Sequence, residues 1–309
     1  MAIAEGAARD TKTRSRLSPK RLLERMPLHV TVIALAVLWS IPTIALIVSS
    51  LRPPADIASS GWWNGLTSPF DWTLANYDAV LSQRGMGQAF LNSIIITVPS
   101  TILVILVAAL AAYAFAWMDF PGRNLLLLVM VGLLVVPLQM TLIPVLRLYV
   151  QIGIDTEIPL LGGNLFGTSS YPGIWVAHAA YGLPFAVYLL RNFFGGLPRD
   201  LVEAALLDGA SDLGVFFRIV LPLSMPAIAA LGIFQFLWTW NDLLIALVFL
   251  GDPDMAPMTL RITNLVSSFG GNYQLLTAAA FVSMALPLVI FFLLQRYFVQ
   301  GILSGAVKG

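Results

Sequence analysis

Residues 199–222 read Arg-Asp-Leu-Val-Glu-Ala-Ala-Leu-Leu-Asp-Gly-Ala-Ser-Asp-Leu-Gly-Val-Phe-Phe-Arg-Ile-Val-Leu-Pro, a polar, amphipathic insertion between two long apolar segments. Ala204 and Ala205 favour helix and leave a flat surface that another protein can approach closely. Gly209 permits a backbone bend that other residues resist, so the pattern predicts helix, turn, helix. Asp200, Glu203, Asp208 and Asp212 stand beside Arg199 and Arg218, which places the stretch in water, while Leu201, Ala205, Leu206 and Phe216 supply an apolar side. A solvated helical face meeting a soluble partner fits this chemistry. An ordinary cytoplasmic loop with a short helix lying on the bilayer surface is the plainer reading.

The rest of the chain is of another kind. Of 309 residues 58% are hydrophobic and 11% charged, and the mean hydropathy is +0.85. Those values define an integral membrane protein. The net charge of +1 gives no argument for nucleic acid or an acidic substrate. With no cysteine and only His29 and His178, the sequence offers no disulfide, no thiolate chemistry and little basis for a metal cluster.

A membrane helix needs about 20 mainly apolar residues at a rise of about 1.5 Å each. Six segments qualify, at about 28–50, 91–117, 124–147, 172–194, 223–250 and 276–298, which predicts an all-α membrane protein with six spans. The chain then divides into a basic cytoplasmic tail (1–27), a first span with its outer loop (28–90), a transmembrane core (91–298) and a cytoplasmic C-terminal tail (299–309). The first apolar segment is longer than a signal-peptide core and reads as a retained anchor. With the tail inside, thirteen of the seventeen Lys and Arg residues fall on the cytoplasmic side. Arg52, Arg84, Arg147 and Arg261 fall outside, so the positive-inside rule puts both termini and residues 195–222 in the cytoplasm of a cell-membrane protein. Prolines 99, 137, 144, 184, 226 and 287 lie in or beside spans and predict kinks or breaks. Trp62, Trp63, Trp72 and Tyr77 in the outer loop read as an interfacial aromatic belt.

Glu203-Ala204-Ala205, then Gly209, then Ile219 and Leu221-Pro222 resemble, in identity and spacing, the Glu-Ala-Ala loop signature of ABC-importer permeases. From about residue 40 onward, further pieces look like the second permease subunit of the maltose-type, carbohydrate branch. They are Ser50-Leu51-Arg52-Pro53-Pro54, Asp56-Ile57, Asn76-Tyr77, Asn92-Ser93, Ala112-Tyr113-Ala114-Phe115, Phe120-Pro121-Gly122-Arg123, Pro137-Leu138-Gln139 and Trp238-Thr239-Trp240-Asn241-Asp242. The resemblance implies a type I importer fold: two permease subunits enclosing a path, two ATPase subunits below, and an extracytoplasmic solute-binding protein that delivers sugar. It implies that Glu203, Ala204, Ala205, Asp208, Gly209, Ile219, Leu221 and Pro222 belong to a coupling helix and its flank, docked in the ATPase. Gly305, Val307, Lys308 and Gly309 resemble the family tail that reaches the ATPase dimer; extended, residues 297–309 span up to roughly 45 Å. ATP and Mg would be bound by the partner ATPase and no cofactor by this chain.

No phosphate-cradling Gly-x-x-x-x-Gly-Lys-Ser/Thr loop, His-Glu-x-x-His or Gly-x-Ser-x-Gly occurs, so the sequence reads as a non-catalytic subunit. An ion-coupled secondary transporter is the alternative, since broken helices and an intramembrane acid serve such carriers. Candidate pathway residues are Gln139, Trp238, Asn241 and Asp242. In an unbroken fifth span Asn241 and Asp242 lie roughly 12 Å inside its outer end; a structural hydrogen bond, or an earlier helix end, explains them equally well. Trp238 and Trp240 are placed to stack on sugar rings or to face lipid. Gln139 is placed to bond a sugar hydroxyl or the backbone freed by Pro137. His178, in the apolar fourth span, reads as a hydrogen-bonded packing residue rather than a proton relay.

Overall fold

In the computed structural model the described residues are 19–68, 71–83, 85–153, 157–158, 163–164, 167–267 and 273–306. The basic residues before Pro19 lie outside them. The long elements are α1 (Pro19–Leu51), α2 (Met86–Trp117), α3 (Arg123–Leu133), α4 (Leu138–Gly153), α5 (Tyr171–Phe194), α6 (Arg199–Leu207), α7 (Asp212–Val215), α8 (Met225–Trp240), α9 (Leu244–Phe249), α10 (Met258–Ser267) and α11 (Tyr273–Ala306). Three short helices, Pro54–Ser59, Asn64–Thr67 and Ala75–Asp78, build the loop after α1. One minimal antiparallel ribbon, Glu157–Ile158 against Gly163–Asn164, follows α4.

Among the described residues four helices are long and apolar enough to cross a membrane: Arg25–Leu51 of α1, α2, α5 and Tyr273–Gln295 of α11. Two bent helix pairs pass the same test together, which gives the expected six if each pair is one span; the second pair takes in Asp212–Leu223 of the polar segment. α3 and α4 meet at 110°, and Asp212–Leu223 meets α8 at 75°. The first bend falls at Pro137 and the second beside Pro222 and Pro226, where ring closure removes backbone donors. Pro99, Pro144, Pro184 and Pro287, expected to kink or break their spans, lie inside uninterrupted helices.

The fifth span departs most from expectation. A continuous helix over 223–250 would carry Asn241 and Asp242 in its interior, but α8 stops at Trp240 and the chain restarts as α9 at Leu244. The cause is local. Asn241 Nδ2 donates to the Leu237 carbonyl at 2.8 Å, and Asp242 Oδ2 accepts from the amides of Ile245 at 3.0 Å and Ala246 at 3.2 Å. The two polar side chains satisfy the backbone groups that a break leaves open, so neither is stranded in an apolar helix.

The core is built on α2 and α5. The buried face of α2 includes Ala89, Ser93, Thr97, Ser100, Val104, Ala108 and Ala112, at three- and four-residue steps. α5 answers with Gly173, Ala177, Gly182 and Ala186. Small residues on both sides let the backbones approach, which is how helices associate where lipid removes the hydrophobic drive. A Cβ at Gly182 would stand 2.8 Å from Gln235 Oε1, so α8 also comes close there.

Polar pins lock this packing. Asn92 Nδ2 donates to the carbonyls of Asp254 at 2.7 Å and Ala256 at 3.1 Å, while its Oδ1 accepts from Gln88 at 3.0 Å and the Tyr171 hydroxyl at 2.9 Å. All four hydrogen-bonding positions of that amide are thereby used. Ser93 Oγ accepts from the Met258 amide at 2.9 Å. At the C-terminal end of α1, Arg52 is 5% exposed, and its guanidinium donates to the carbonyls of Asp56 and Gly61 at 2.9 Å and to Ser60 Oγ at 2.5 Å. A buried cation held by carbonyls at the end of a short helix is the favourable pole for that helix dipole. Asn76 Nδ2 donates to the carbonyls of Ser50 and Arg52, both at 2.9 Å, and Tyr77 meets Ser50 Oγ at 2.7 Å. The motifs at 50–56 and 76–77 thus meet as one knot. α1 is otherwise exposed along most of its length, buries Val48, Ser49 and Ser50 near its C-terminal end, and packs against α11.

Candidate coupling site

The segment 199–222 folds as helix, turn, helix. α6 begins after Pro198 with Asp200 in its first turn, where a negative charge suits the helix N-terminus. It ends in a glycine-closed cap. Gly209 has φ +84°, its amide donates to the Leu206 carbonyl at 3.0 Å, and the Ala210 amide donates to the Ala205 carbonyl at 3.0 Å. That pair of bonds is the Schellman arrangement, which places a left-handed residue just past the helix and returns the chain on the residue beyond it. The Ala205-to-Gly209 interval is therefore the geometry of one helix end. Ser211 then caps α7, its Oγ accepting from the Gly214 amide at 3.3 Å.

One side of the segment is fixed to the membrane core. Val202, Val215, Phe216 and Val220 are buried in a cluster that also holds Tyr113 of α2, Leu190 and Phe194 of α5, and Leu231 of α8. The anchoring face differs from expectation. Leu201 and Leu206 are exposed, at 46% and 45%, and Val202 packs instead. Ala205 is half-buried and Phe216 buried, as the pattern predicts.

The other side is open. Glu203, Ala204, Asp208, Gly209 and Pro222 are exposed, with Ile219 and Leu221 half-buried. Beside them Leu201, Leu206, Leu207, Leu213 and Phe217 present apolar side chains outward, Leu207 at 88%. Clustered apolar groups rimmed by carboxylates mark a surface that a protein covers. Leu207, Leu213 and Phe217 escaped the sequence reading because an apolar residue in an amphipathic stretch is assigned inward by default.

The pathway candidates separate. Gln139 is exposed, just past the bend at Pro137. Trp238 is 42% exposed and stands edge-on to Phe234 at 6.0 Å. Trp240 is 2% exposed, stacks on Phe236 at 5.6 Å, and donates to the Ser283 carbonyl at 3.0 Å, which removes it from any sugar face. Asn241 opens into a groove of about 600 Å³ shared by Thr259, Thr263, Ser283, Leu237 and Phe291. Asp242 turns the other way, toward α9 and His178. Gly305 lies in the last turn of α11; Val307, Lys308 and Gly309 lie outside the described residues. The helix runs to Ala306, so the extended reach expected from residue 297 onward does not hold over that length. Among the described residues no group of three or more His, Asp or Glu side chains is placed to hold a metal.

Bent spans and a protruding helix anchored to their core define a membrane-embedded subunit that works by contact with other proteins. The chain belongs to the family described as binding-protein-dependent transport system inner membrane component, whose model matches residues 89–304. It is a permease subunit of an ABC importer and not an enzyme; ATP hydrolysis resides on a separate subunit. It is 54% identical to the osmoprotective compounds uptake permease GgtD of Synechocystis, over 92% of this chain and 93% of the relative. It is 42% identical to the alpha-glucoside transport permease AglG of Rhizobium meliloti, over 91% and 96%. A bacterial ABC transporter chain involved in alginate import has the same fold, with a TM-score of 0.74 at 18% identity over 91% of this chain and 98% of that one.

Proposed function

We propose that this permease carries a small glucoside or related polyhydroxy solute, delivered by an extracytoplasmic binding protein, through a path shared with a second permease subunit. Two ATPase subunits holding ATP and Mg dock on the surface formed by Glu203, Ala204, Ala205, Asp208 and Gly209 and its apolar surround. The observation that carries this reading is the Schellman-closed helix, exposed on one side and buried through Val202 in the spanning core on the other. Such an element transmits displacement from a soluble motor into membrane helices. The solute class follows the two full-length relatives named for osmoprotective compounds and alpha-glucosides. Both termini and residues 195–222 face the cytoplasm in this reading.

Reconstitution in liposomes with the second permease, the ATPases and the cognate binding protein tests it. Uptake of a labelled glucoside should require ATP and binding protein together. Uptake by the permease alone under an ion gradient would establish the secondary-transporter alternative.

A further inference from the structure

Where the fifth span breaks, Ser93, Thr97, His178, Thr239, Asp242 and Ala246 surround a cavity of about 10 Å³, the room that one water centre takes up. His178 is 2% exposed, and its Nε2 has no hydrogen-bond partner among the described residues. It faces Asp242 Oδ2 at 3.9 Å. That separation is beyond a direct hydrogen bond, yet a molecule about 2.8 Å from each atom closes it. Ser93 Oγ, which accepts from the Met258 amide, keeps its own proton to donate, and Thr97 is buried on the same wall. Ile96, Trp240 and Pro257 complete the lining, so a few polar groups converge on a small pocket that is otherwise apolar.

Its position gives it consequence. Asp242 caps α9 through its carboxylate, and its carbonyl accepts from the Thr259 hydroxyl at 2.6 Å, so one residue fixes the end of α8, the start of α9 and α10. His178 lies on α5, whose other end, at Leu190 and Phe194, shares the cluster with Val202 and Phe216 of the coupling segment. From His178 to Phe194 is about 24 Å of helix.

We propose that a single water bridges His178 Nε2 and Asp242 Oδ2, with Thr97 and Ser93 as its further partners, and that this hydrated latch passes movement of α5 to the break in the fifth span. His178 is then a positioning residue that touches no solute. The inference rests on the chain being an importer permease and is independent of which solute it carries.

The test uses the assembled transporter in proteoliposomes, with solute imported per ATP hydrolysed as the readout. His178→Phe should assemble and hydrolyse ATP in response to the binding protein, but import per ATP should fall on the order of tenfold, the cost of one buried polar partner lost. His178→Gln, which restores a polar end, should recover most of it. Thr97→Val keeps shape and removes one hydroxyl; it should shift the ratio in the same direction by less, and it decides the matter if His178→Phe fails to assemble. A high-resolution map of the wild type should show density within hydrogen-bond distance of both atoms. An unchanged ratio in the assembled variants, a dry cavity, or His178 and Asp242 in direct contact would overturn the latch, whereas loss of all import in the wild type would point to the wrong solute.

Discussion

The ring of Tyr113, in the second span, stands edge-on to the ring of Phe216, which opens the π-helical stretch Phe216–Val220 after α7, with centroids 5.4 Å apart and planes at 61°. The contact joins a membrane helix to the docking segment from the inside, beside Val202, Val215 and Phe194. An aromatic pair in this geometry contributes about 0.5–1.5 kcal/mol beyond its buried area. Tyr113→Leu should therefore leave a folded permease whose docking segment is held less firmly. The expected outcome is normal copurification of the ATPase with weaker stimulation of hydrolysis by the binding protein; Tyr113→Phe, which retains the ring and gives up only the hydroxyl beside Asp212, should lose less of it.

On the open side, a bulky charge at the exposed Ala204 would hold the two proteins apart, and a β-branched residue at Gly209 meets a backbone at φ +84° that glycine adopts without strain. Ala204→Glu and Gly209→Val should each reduce ATPase copurification or uncouple hydrolysis from the binding protein, with membrane insertion intact. The Gly209 change should cost about 1–2 kcal/mol at the cap. If both variants assemble and transport like the wild type, residues 199–222 are only a surface loop.

The chain has no cysteine, so introduced thiols report orientation without background. Ser68 and Ala210 are both exposed and lie on opposite sides in the proposed topology. Ser68→Cys should react with an impermeant maleimide in intact cells and Ala210→Cys only after permeabilisation. The reverse labelling would invert every loop and remove the docking surface from the ATPase.

Those expectations draw on features that differ in how visible they are in the sequence. The helix end at Gly209 was legible because its signal is local: a left-handed residue four positions after an alanine whose carbonyl it leaves to the next amide. The anchoring face was not, because Leu201, Val202 and Leu206 are equally apolar and only the approach of α2 and α5 selects Val202. The break at Asn241 was legible only as one of two readings. Polar residues inside an apolar run fit a pathway role and an earlier helix end equally well, and the side-chain bonds to the backbone of their own turn select the second. Arg52 reads from the sequence as an outer-loop charge, because its enclosure depends on the carbonyls of Asp56 and Gly61, which only the folded loop brings to it.

The docking of α1 against α11 sets an order on the making of the protein. α1 ends at Leu51, and the helix it rests on begins only at Tyr273, so the two are synthesised far apart in time. Until nearly the whole chain has been synthesised, α1 lacks that partner and keeps the contacts at its C-terminal end, where Arg52 and Asn76 tie it to the loop that follows. Distant pairings of this kind form late and leave an unfinished surface exposed in the meantime. A nascent permease therefore offers its first helix to other membrane proteins before its own last helix arrives.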